Sequence, residues 1–306
     1  LSSVSFISTN DLDTELAMVG DTLFLDFTSD EILITTEVLI AESTADTTFE
    51  NEVRTPFRSW RIMDGTAAEG FITFRIVYSD LVGNLGDTVN VTSNETSILF
   101  DMTPPADFEL DTVMVSGGTI VYGYWNANND SIILKAPVPD ADETMIGGIF
   151  QPQIRFGEGD YINIGDEFLI LGELGIPFQE LQIPRSVFTS VDGYAEGENA
   201  IFIAIARDRA GNETVGTTDN TSIHIDETFP ELTDISIYSD NELDTTWAKL
   251  GNNVILQFTA SEGLSSPSGI ILVDTLTLNS TLNGTEWTLT KLLDEEDEEG
   301  VISFSI

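Results

Sequence analysis

Short alternating runs that recur along the chain restrict its fold more than any other feature. Residues 20–28, GDTLFLDFT, align with residues 251–259, GNNVILQFT, so that Phe27 meets Phe258. Apolar residues occupy every second position in both runs, which is the period of a strand with one buried and one wet face. The sequence therefore predicts the same half-buried strand near the start and near the end of the chain.

Further segments repeat in the same order around these runs. The matching pairs are residues 8–20 with 238–251, 69–76 with 299–306, and, for the middle third, 72–80 with 200–208. Trp60 and Trp287 also align, which favours core packing for both side chains. Repeats of this kind predict three tandem copies of one supersecondary plan.

The ends of the copies are marked by proline. Residues 98–105, ILFDMTPP, and residues 223–230, IHIDETFP, each finish a strand with Asp, Thr and Pro, and proline cannot donate a hydrogen bond to a sheet. We predict three domains with short linkers, over residues 1–103, 104–229 and 230–306. The second carries an insertion, and the third stops within its penultimate strand. Because no amphipathic helix is evident, the predicted class is all-β, with antiparallel β-sandwiches stacked end to end.

The charge of the chain excludes several classes of partner. Fifty-three acidic residues against eleven basic ones give a formal charge of −42, which repels phosphate backbones and anionic lipid surfaces. We therefore expect no nucleic-acid partner, and no stretch is apolar enough for membrane insertion. Carboxylates are the usual ligands of calcium, so this composition favours a setting rich in divalent cations.

Two copies share a motif that points to a family. Asp-x-x-Gly-Asn at residues 80–84 and 208–212 is followed by a closing strand that ends in Asp, Thr and Pro. This combination resembles the bacterial immunoglobulin-like tandem repeats of large extracellular adhesins and surface fibres, although the second copy departs from it over residues 117–190. The resemblance implies tandem immunoglobulin-like sandwiches that serve as spacers, at an extracellular or cell-surface location, with calcium ions at the domain junctions.

The calcium implied by that resemblance can be placed on particular residues. In an immunoglobulin-like sandwich, the turn between strands F and G lies beside the turn between strands B and C and the incoming linker. The segments that correspond to strand F are residues 74–80 and 202–208. Asp80 and Asp208 each continue the predicted buried row of their segment, so both carboxylates are expected at this end. The candidate ligands are Asp101, Asp208 and Asn212 at the first junction, Asp226 and Glu262 at the second, and Asp30, Glu31, Asp80 and Asn84 at the free end.

The same motif has a purely structural interpretation. Aspartate caps its own turn, and glycine or asparagine tolerates a positive φ, so Asp-x-x-Gly-Asn is also good turn chemistry. The two interpretations are compatible with each other.

No constellation of catalytic residues is evident. The chain has one histidine, His224, and no cysteine, so the usual nucleophilic triads and transition-metal sites lack parts. We predict a non-enzymatic structural segment of a secreted or surface fibre or adhesin stalk. Its partners would be neighbouring domains or subunits of the same protein. If a neighbouring subunit, and not the same polypeptide, supplies the last strands of the third domain, the chain would form a homopolymer.

Two alternatives remain open at this stage. One is a carbohydrate-binding module that recognises surface glycans through Trp125, with Tyr122 and Tyr124 nearby. The other is an accessory region of a larger secreted hydrolase.

Overall fold

The computed structural model describes residues 1–49, 56–138, 144–171, 178–218, 221–276, 278–280 and 284–306. Strands dominate these ranges, and their one helix, α1, covers only Arg185–Phe188. The all-β prediction is therefore confirmed. The chain divides into two compact units, Leu1–Glu227 and Thr228–Ile306, and the first unit contains two separate hydrophobic cores. The three-domain division at residues 103 and 229 stays a prediction, although the boundary between the units lies close to residue 229.

Within the described residues, ten strands surround the first core. They are β1 (Ser3–Ser8), β2 (Leu16–Ala17), β3 (Thr22–Thr28), β4 (Leu33–Ile40), β5 (Ser43–Thr44), β6 (Asp46–Phe49), β7 (Phe57–Ile62), β8 (Gly70–Phe71), β9 (Phe74–Asp80) and β10 (Leu99–Phe100). The sheets run β1-β3-β7-β6, β5-β4-β9 and β2-β10-β8. Leu23, Leu25 and Phe27 of β3 are buried, as their alternation predicts.

The described part of the second core region also has ten strands. They are β11 (Thr112–Ser116), β12 (Tyr124–Trp125), β13 (Ser131–Pro137), β14 (Ile149–Phe156), β15 (Ile162–Asn163), β16 (Phe168–Leu169), β17 (Phe178–Pro184), β18 (Asn199–Arg207), β19 (Glu213–Val215) and β20 (Ser222–Ile225). A three-stranded sheet, β11-β13-β17, accompanies a seven-stranded sheet with the order β12-β20-β18-β14-β15, to which β16 and β19 add at β14 and β18. Helix α1 carries Phe188 into this core.

The second unit has a smaller core. Its strands are β21 (Leu232–Ser239), β22 (Asn253–Ala260), β23 (Gly269–Ile271), β24 (Asp274–Leu276), β25 (Asn279–Ser280), β26 (Glu286–Leu292) and β27 (Phe304–Ser305). They form the sheets β21-β22-β26-β25 and β24-β23-β27. The buried members are Val254, Leu256, Phe258, Ile271 and Leu289.

Some backbone hydrogen bonds within the first core region have an equivalent at the aligned residues within the second unit. The Ser8 amide donates to the Thr14 carbonyl, and the Ser239 amide donates to the Thr245 carbonyl. Two aligned glycines repeat a further bond, Gly20 N to Met63 O and Gly251 N to Leu293 O. The alignment of residues 8–20 with 238–251 therefore holds at the level of backbone contacts.

The alignment of Trp60 with Trp287 is wrong. Phe27 pairs with Phe57 across β3 and β7, and its counterpart Phe258 pairs with Trp287 across β22 and β26. Trp287 therefore takes the place of Phe57, because strand register and not residue identity fixes which positions correspond. Trp287 packs partly against the third core, whereas Trp60 is only half-buried.

Candidate functional site

The Asp208 turn closes on itself through the aspartate side chain. Asp208 Oδ1 accepts hydrogen bonds from the amides of Gly211, at 2.7 Å, and of Asn212, at 3.0 Å. Asp208 Oδ2 accepts from Asn212 Nδ2 at 3.0 Å, and the Asp208 amide donates to the Asn212 carbonyl. Gly211 has φ +103°, a conformation that glycine adopts without strain. The structural interpretation of Asp-x-x-Gly-Asn is thus confirmed.

The Asp80 turn repeats this arrangement at the surface. Asp80 Oδ1 accepts from the amides of Val82 and Asn84, and Oδ2 accepts from Asn84 Nδ2 at 2.7 Å. Hydrogen bonds from the Asn84 side chain and backbone lower the pKa of Asp80 because they favour its charged form. The two turns are twins in geometry that differ in their surroundings.

The Asp208 turn is buried where the first core region meets the second. Asp208 is 1% exposed and continues the buried row of Phe202, Ala204 and Ala206, as predicted. Asn212 Nδ2 also donates to the carbonyl of Asp101, at 3.3 Å. The structure therefore brings together Asp101, Asp208 and Asn212, the three residues that the sequence assigns to the first junction.

Asp101 is itself held on both carboxylate oxygens. Thr144 Oγ1 donates to Asp101 Oδ2 at 2.6 Å, and the Thr103 amide donates to Oδ1 at 3.0 Å. Thr144 is 3% exposed, and its carbonyl accepts from the amide of Arg209. The linker is thus tied both to the segment before β14 and to the turn after β18.

A loop of the first core region completes the contact. Asn10 Nδ2 donates to the Ala210 carbonyl at 2.7 Å, and Arg209 Nη2 forms an ion pair with Asp13 Oδ2 at 2.6 Å. Asn10 is 6% exposed. We call Asn10, Asp13, Asp101, Thr144, Asp208 and Asn212 the junction cluster.

Burial perturbs the Asp208 carboxyl. Loss of solvation raises the pKa of Asp208, and the nearby negative charge of Asp101 adds to the increase. The hydrogen bonds from Asn212 and Gly211 act in the opposite direction without cancelling the effect of burial. A carboxylate that is costly to ionise would gain from a neighbouring cation.

The remaining predicted ligands are more dispersed. Asp30 and Glu31 are exposed in the turn before β4. Leu33, the first residue of β4, pairs with Asp80, so the turn that contains Asp30 and Glu31 ends beside the Asp80 turn. Asp226 belongs to the first unit, where its amide donates to the Trp125 carbonyl. Glu262 belongs to the second unit, and the predicted approach of Glu262 to Asp226 stays a prediction. Glu262 Oε1 is buried and has no hydrogen-bond partner among the described residues.

No group of three or more His, Cys, Asp or Glu side chains is arranged for metal binding within the described ranges. The side chains of the junction cluster offer oxygen donors and no sulfur or imidazole, and oxygen is the donor type that calcium takes. The two buried carboxylates, Asp101 and Asp208, and the amide of Asn212 fall short of the six to eight oxygens that calcium takes. Backbone carbonyls or water would have to complete the shell.

The twin turns permit a matched test of the junction contact. Alanine at Gly83, with φ +91° and open space around it, should cost about 1–2 kcal/mol through backbone strain alone. At Gly211 the new Cβ would lie 2.9 Å from Met18 Sδ, so Gly211→Ala should cost more than Gly83→Ala. Urea denaturation measures both. In a Met18→Ala background, Gly211→Ala and Gly83→Ala should lower the unfolding free energy by similar amounts. If Gly211→Ala still cost more by the same margin, the close approach of position 211 to Met18 would be contradicted.

Trp125 is not a surface residue. It is 0% exposed, and its ring meets Phe188 edge to face, with centroids 4.9 Å apart. Its Nε1 donates to Tyr194 Oη at 3.0 Å and to Glu227 Oε1 at 3.2 Å. The hypothesis that Trp125 stacks on sugars is therefore wrong, because β12, at the edge of the seven-stranded sheet, turns this side chain into the second core. Tyr122, 82% exposed, is an aromatic side chain of this segment that does face solvent.

His224 does not form a catalytic arrangement with its neighbours in the structure. It contacts Asn199 Oδ1 through Nδ1 at 3.2 Å, and its ring packs edge to face against Tyr124. In the part of the chain that the structure describes, no helix has the length and apolar character needed to cross a membrane.

No known protein family and no curated protein matches the chain. Among solved structures, it is similar to a Ca²⁺-stabilised adhesin with which an Antarctic bacterium reaches out and binds ice, at 15% identity and a TM-score of 0.39 over 95% of this chain and 66% of that one. It is also similar to SGBP-B of the Bacteroides ovatus mixed-linkage glucan utilization locus, in complex with a mixed-linkage heptasaccharide. That match has 12% identity and a TM-score of 0.19, over 92% of this chain and 66% of that one. The chain thus spans about two thirds of each of these proteins. With identities below 25% and TM-scores below 0.5, neither likeness says what this chain binds.

Proposed function

We propose that this chain is a structural segment of a secreted or cell-surface fibre or adhesin stalk, built from tandem sandwiches. The observation that carries the proposal is the junction cluster. It joins two hydrophobic cores through buried, directional hydrogen bonds from a short linker, a loop and a turn. Contacts of this kind fix the orientation of neighbouring modules, which is the property that a stalk needs.

The composition supports the same proposal. A charge of −42 keeps long molecules apart in solution and attracts divalent cations. The absence of cysteine means that no disulfide stiffens the modules, so stiffness has to come from the junctions.

We further propose that calcium binds at the junction cluster. Asp101 and Asp208 would supply buried carboxylates, and the Asn212 side chain, whose Nδ2 now donates to both residues, would turn its amide oxygen toward the ion. Bound calcium would neutralise the charge that makes Asp208 costly to bury. The chain's own residues would hold the linker and the Asp208 turn together around the ion.

Small-angle X-ray scattering of the whole chain tests the fibre proposal. A globular protein of 306 residues has a radius of gyration of about 19 Å. We expect a clearly larger value with a rod-like profile, and a more flexible profile after calcium is removed with EGTA. A radius near 19 Å in both buffers would overturn the proposal.

The alternative of a carbohydrate-binding module now depends on Tyr122 in place of Trp125. Exposed tyrosines are suited to stacking on sugars because they combine an apolar face with a polar edge. Loss of glycan binding in Tyr122→Ala, with the unfolding free energy unchanged, would favour this alternative.

A further inference from the structure

The seven-stranded sheet of the second core region has one face in the core and one face toward solvent. Ala200 and Phe202 of β18 belong to the core, so the residues between and beside them point outward, since side chains alternate along a strand. On β14, Ile154 lies in the core, and the same rule directs Gln153 and Arg155 outward. The outward face is thus defined by the core contacts of the residues that alternate with it.

The outward face is free of acidic side chains along its two long strands. Its members are the alternate residues of 149–155 on β14 and of 199–207 on β18, which are isoleucine, glutamine, asparagine and arginine. Acidic residues fill 53 of the 306 positions of the chain, and outward positions of other strands do hold them, as Asp26 on β3 and Glu180 on β17 show. A neutral face on a chain with a formal charge of −42 suits a partner that is itself uncharged.

One edge of this face presents an aromatic ring beside polar groups. Tyr124 of β12 pairs with His224 of β20, and His224 pairs with Asn199 of β18, so the three side chains form a row across three strands. The Tyr124 ring packs edge to face against the His224 ring, and His224 Nδ1 contacts Asn199 Oδ1 at 3.2 Å. Tyr124 is 45% exposed. The row therefore offers a ring, an imidazole and an amide to a ligand.

The other edge combines a second tyrosine with a guanidinium. Arg155 pairs with Ile201 across β14 and β18, and its guanidinium lies 5.1 Å from the centre of the Tyr161 ring. Within the described ranges, Arg155 Nε has no hydrogen-bond partner. Arg207, farther along the same face, is by contrast held by an ion pair with Glu213. The Arg155 guanidinium thus retains hydrogen-bond donors for the oxygen atoms of a ligand.

These side chains form one extended surface. We call it the platform, and it consists of Tyr124, His224, Asn199, Ile201, Arg155 and Tyr161. Neighbouring strands lie about 4.8 Å apart, so the five strands from β12 to β15 give the platform a width of about 19 Å. It occupies the end of β18 that lies away from Asp208, so a ligand on it leaves the junction cluster free.

We propose that the platform binds a neutral glycan chain. Tyrosine rings pack on the apolar faces of sugar rings, and the imidazole, amide and guanidinium groups exchange hydrogen bonds with sugar hydroxyls. The width of the platform suits a chain of several sugar rings that lies across the strands. The proposal places glycan binding on a surface that does not include Tyr122, and it does not depend on the fibre proposal.

Two other classes of partner fit the platform less well. A protein interface needs an apolar centre within about 800 Å² on each partner, and Ile203, which follows Ile201 on this face, is only 6% exposed. An acidic glycan would be repelled by the charge of the whole chain. Neutral sugars meet neither obstacle.

An array that carries neutral, sialylated and sulfated glycans tests the proposal with the whole chain. We expect binding to neutral glycans that persists as ionic strength rises, because no charge on the ligand has to be paired. Binding to none of the neutral glycans would overturn the proposal. Binding confined to sialylated or sulfated glycans, and lost in salt, would do the same.

Two variants locate the binding on the platform. Tyr161→Ala should weaken the binding of the best neutral glycan from the array roughly tenfold by calorimetry, since exposed aromatic contacts dominate such interfaces. Asn199→Asp keeps the size of the side chain but removes its amide donor, so it should weaken binding several-fold with an unchanged unfolding temperature. Wild-type affinity in both variants would refute the platform.

Matched controls separate the platform from other exposed aromatic residues. Trp247 is 72% exposed in the second unit, and Trp247→Ala should retain the wild-type affinity. Tyr122→Ala should retain it too. Loss of binding in Tyr122→Ala, together with retention in Tyr161→Ala, would refute the platform and favour the loop that carries Tyr122.

Discussion

Replacing Trp125 by alanine should lower the unfolding free energy by about 3–5 kcal/mol, the usual cost of removing a large buried aromatic side chain. The ring is fully buried against Phe188, and the guanidinium of Arg185 lies 5.1 Å from its centroid. The substitution also removes the indole N–H of Trp125, which donates hydrogen bonds to Tyr194 and Glu227. The cost in unfolding free energy should therefore exceed the cost of the lost apolar area alone. Guanidinium denaturation followed by circular dichroism measures the change.

Tyr122→Ala is the matched control for this prediction. Tyr122 lies in the same segment but is 82% exposed, so its removal should change the unfolding free energy by no more than about 0.5 kcal/mol. If Trp125→Ala left stability unchanged, the inward orientation of β12 would be wrong.

Calcium should stabilise the chain, and Asp208→Asn should abolish the stabilisation. At a calcium concentration one hundred times the dissociation constant, binding to the folded state alone adds about 2.7 kcal/mol to the unfolding free energy. The ion would act on the two buried carboxylates of the junction cluster, and asparagine at position 208 removes one of them. Thermal unfolding with calcium and with EGTA measures the difference.

Asp80→Asn provides the matched control, since Asp80 forms the same turn at the surface. It should retain the calcium response of the junction cluster. Loss of the response in Asp80→Asn, with retention in Asp208→Asn, would place the ion at the free end of the first core region and contradict our assignment.

The pH dependence of the twin turns should differ in sign. Asp208 has a raised pKa in the folded chain, so its contribution to stability is complete below the unfolded pKa and is lost as pH rises through the folded pKa. Asp80 has a lowered pKa, so its contribution is present above the unfolded pKa and is lost as pH falls through the folded pKa. In EGTA, the unfolding free energy of Asp208→Asn should therefore rise relative to that of the wild-type chain as pH rises toward neutrality. That of Asp80→Asn should fall relative to the wild-type chain over the same range. Denaturation curves across this range measure both differences, and the same sign for both would refute the assigned environments.

The strands and turns of the chain could be predicted because their determinants are local. Alternation along β3 fixes which side chains are buried, and Asp-x-x-Gly-Asn encodes its own hydrogen bonds. The parity of strand β18 even placed Asp208 at the end of a buried row. In each case, the residues that matter lie within a few positions of one another.

The rest of the junction cluster depends on contacts between distant segments. Asn10 donates a hydrogen bond to Ala210, which lies 200 positions away in the sequence. No sequence feature near Thr144 predicts its hydrogen bond to Asp101. The Asn-x-x-Asp spacing of residues 10–13 does recur at residues 241–244, and that repetition was the available signal. Trp125 was misassigned because it lies in the segment where the second copy departs from the repeat.

The self-contained hydrogen bonding of the Asp-x-x-Gly-Asn turn has a consequence for how such chains change length. The turn satisfies its own amides and carboxylate whether water or another module faces it, as Asp80 and Asp208 illustrate. Gene duplication can therefore add a module next to such a turn, or deletion can remove one. In either case, the amides and the carboxylate of the turn keep their hydrogen bonds. If the chain is the stalk proposed above, selection for reach would act on module number alone, while the sequence of each turn remains the same.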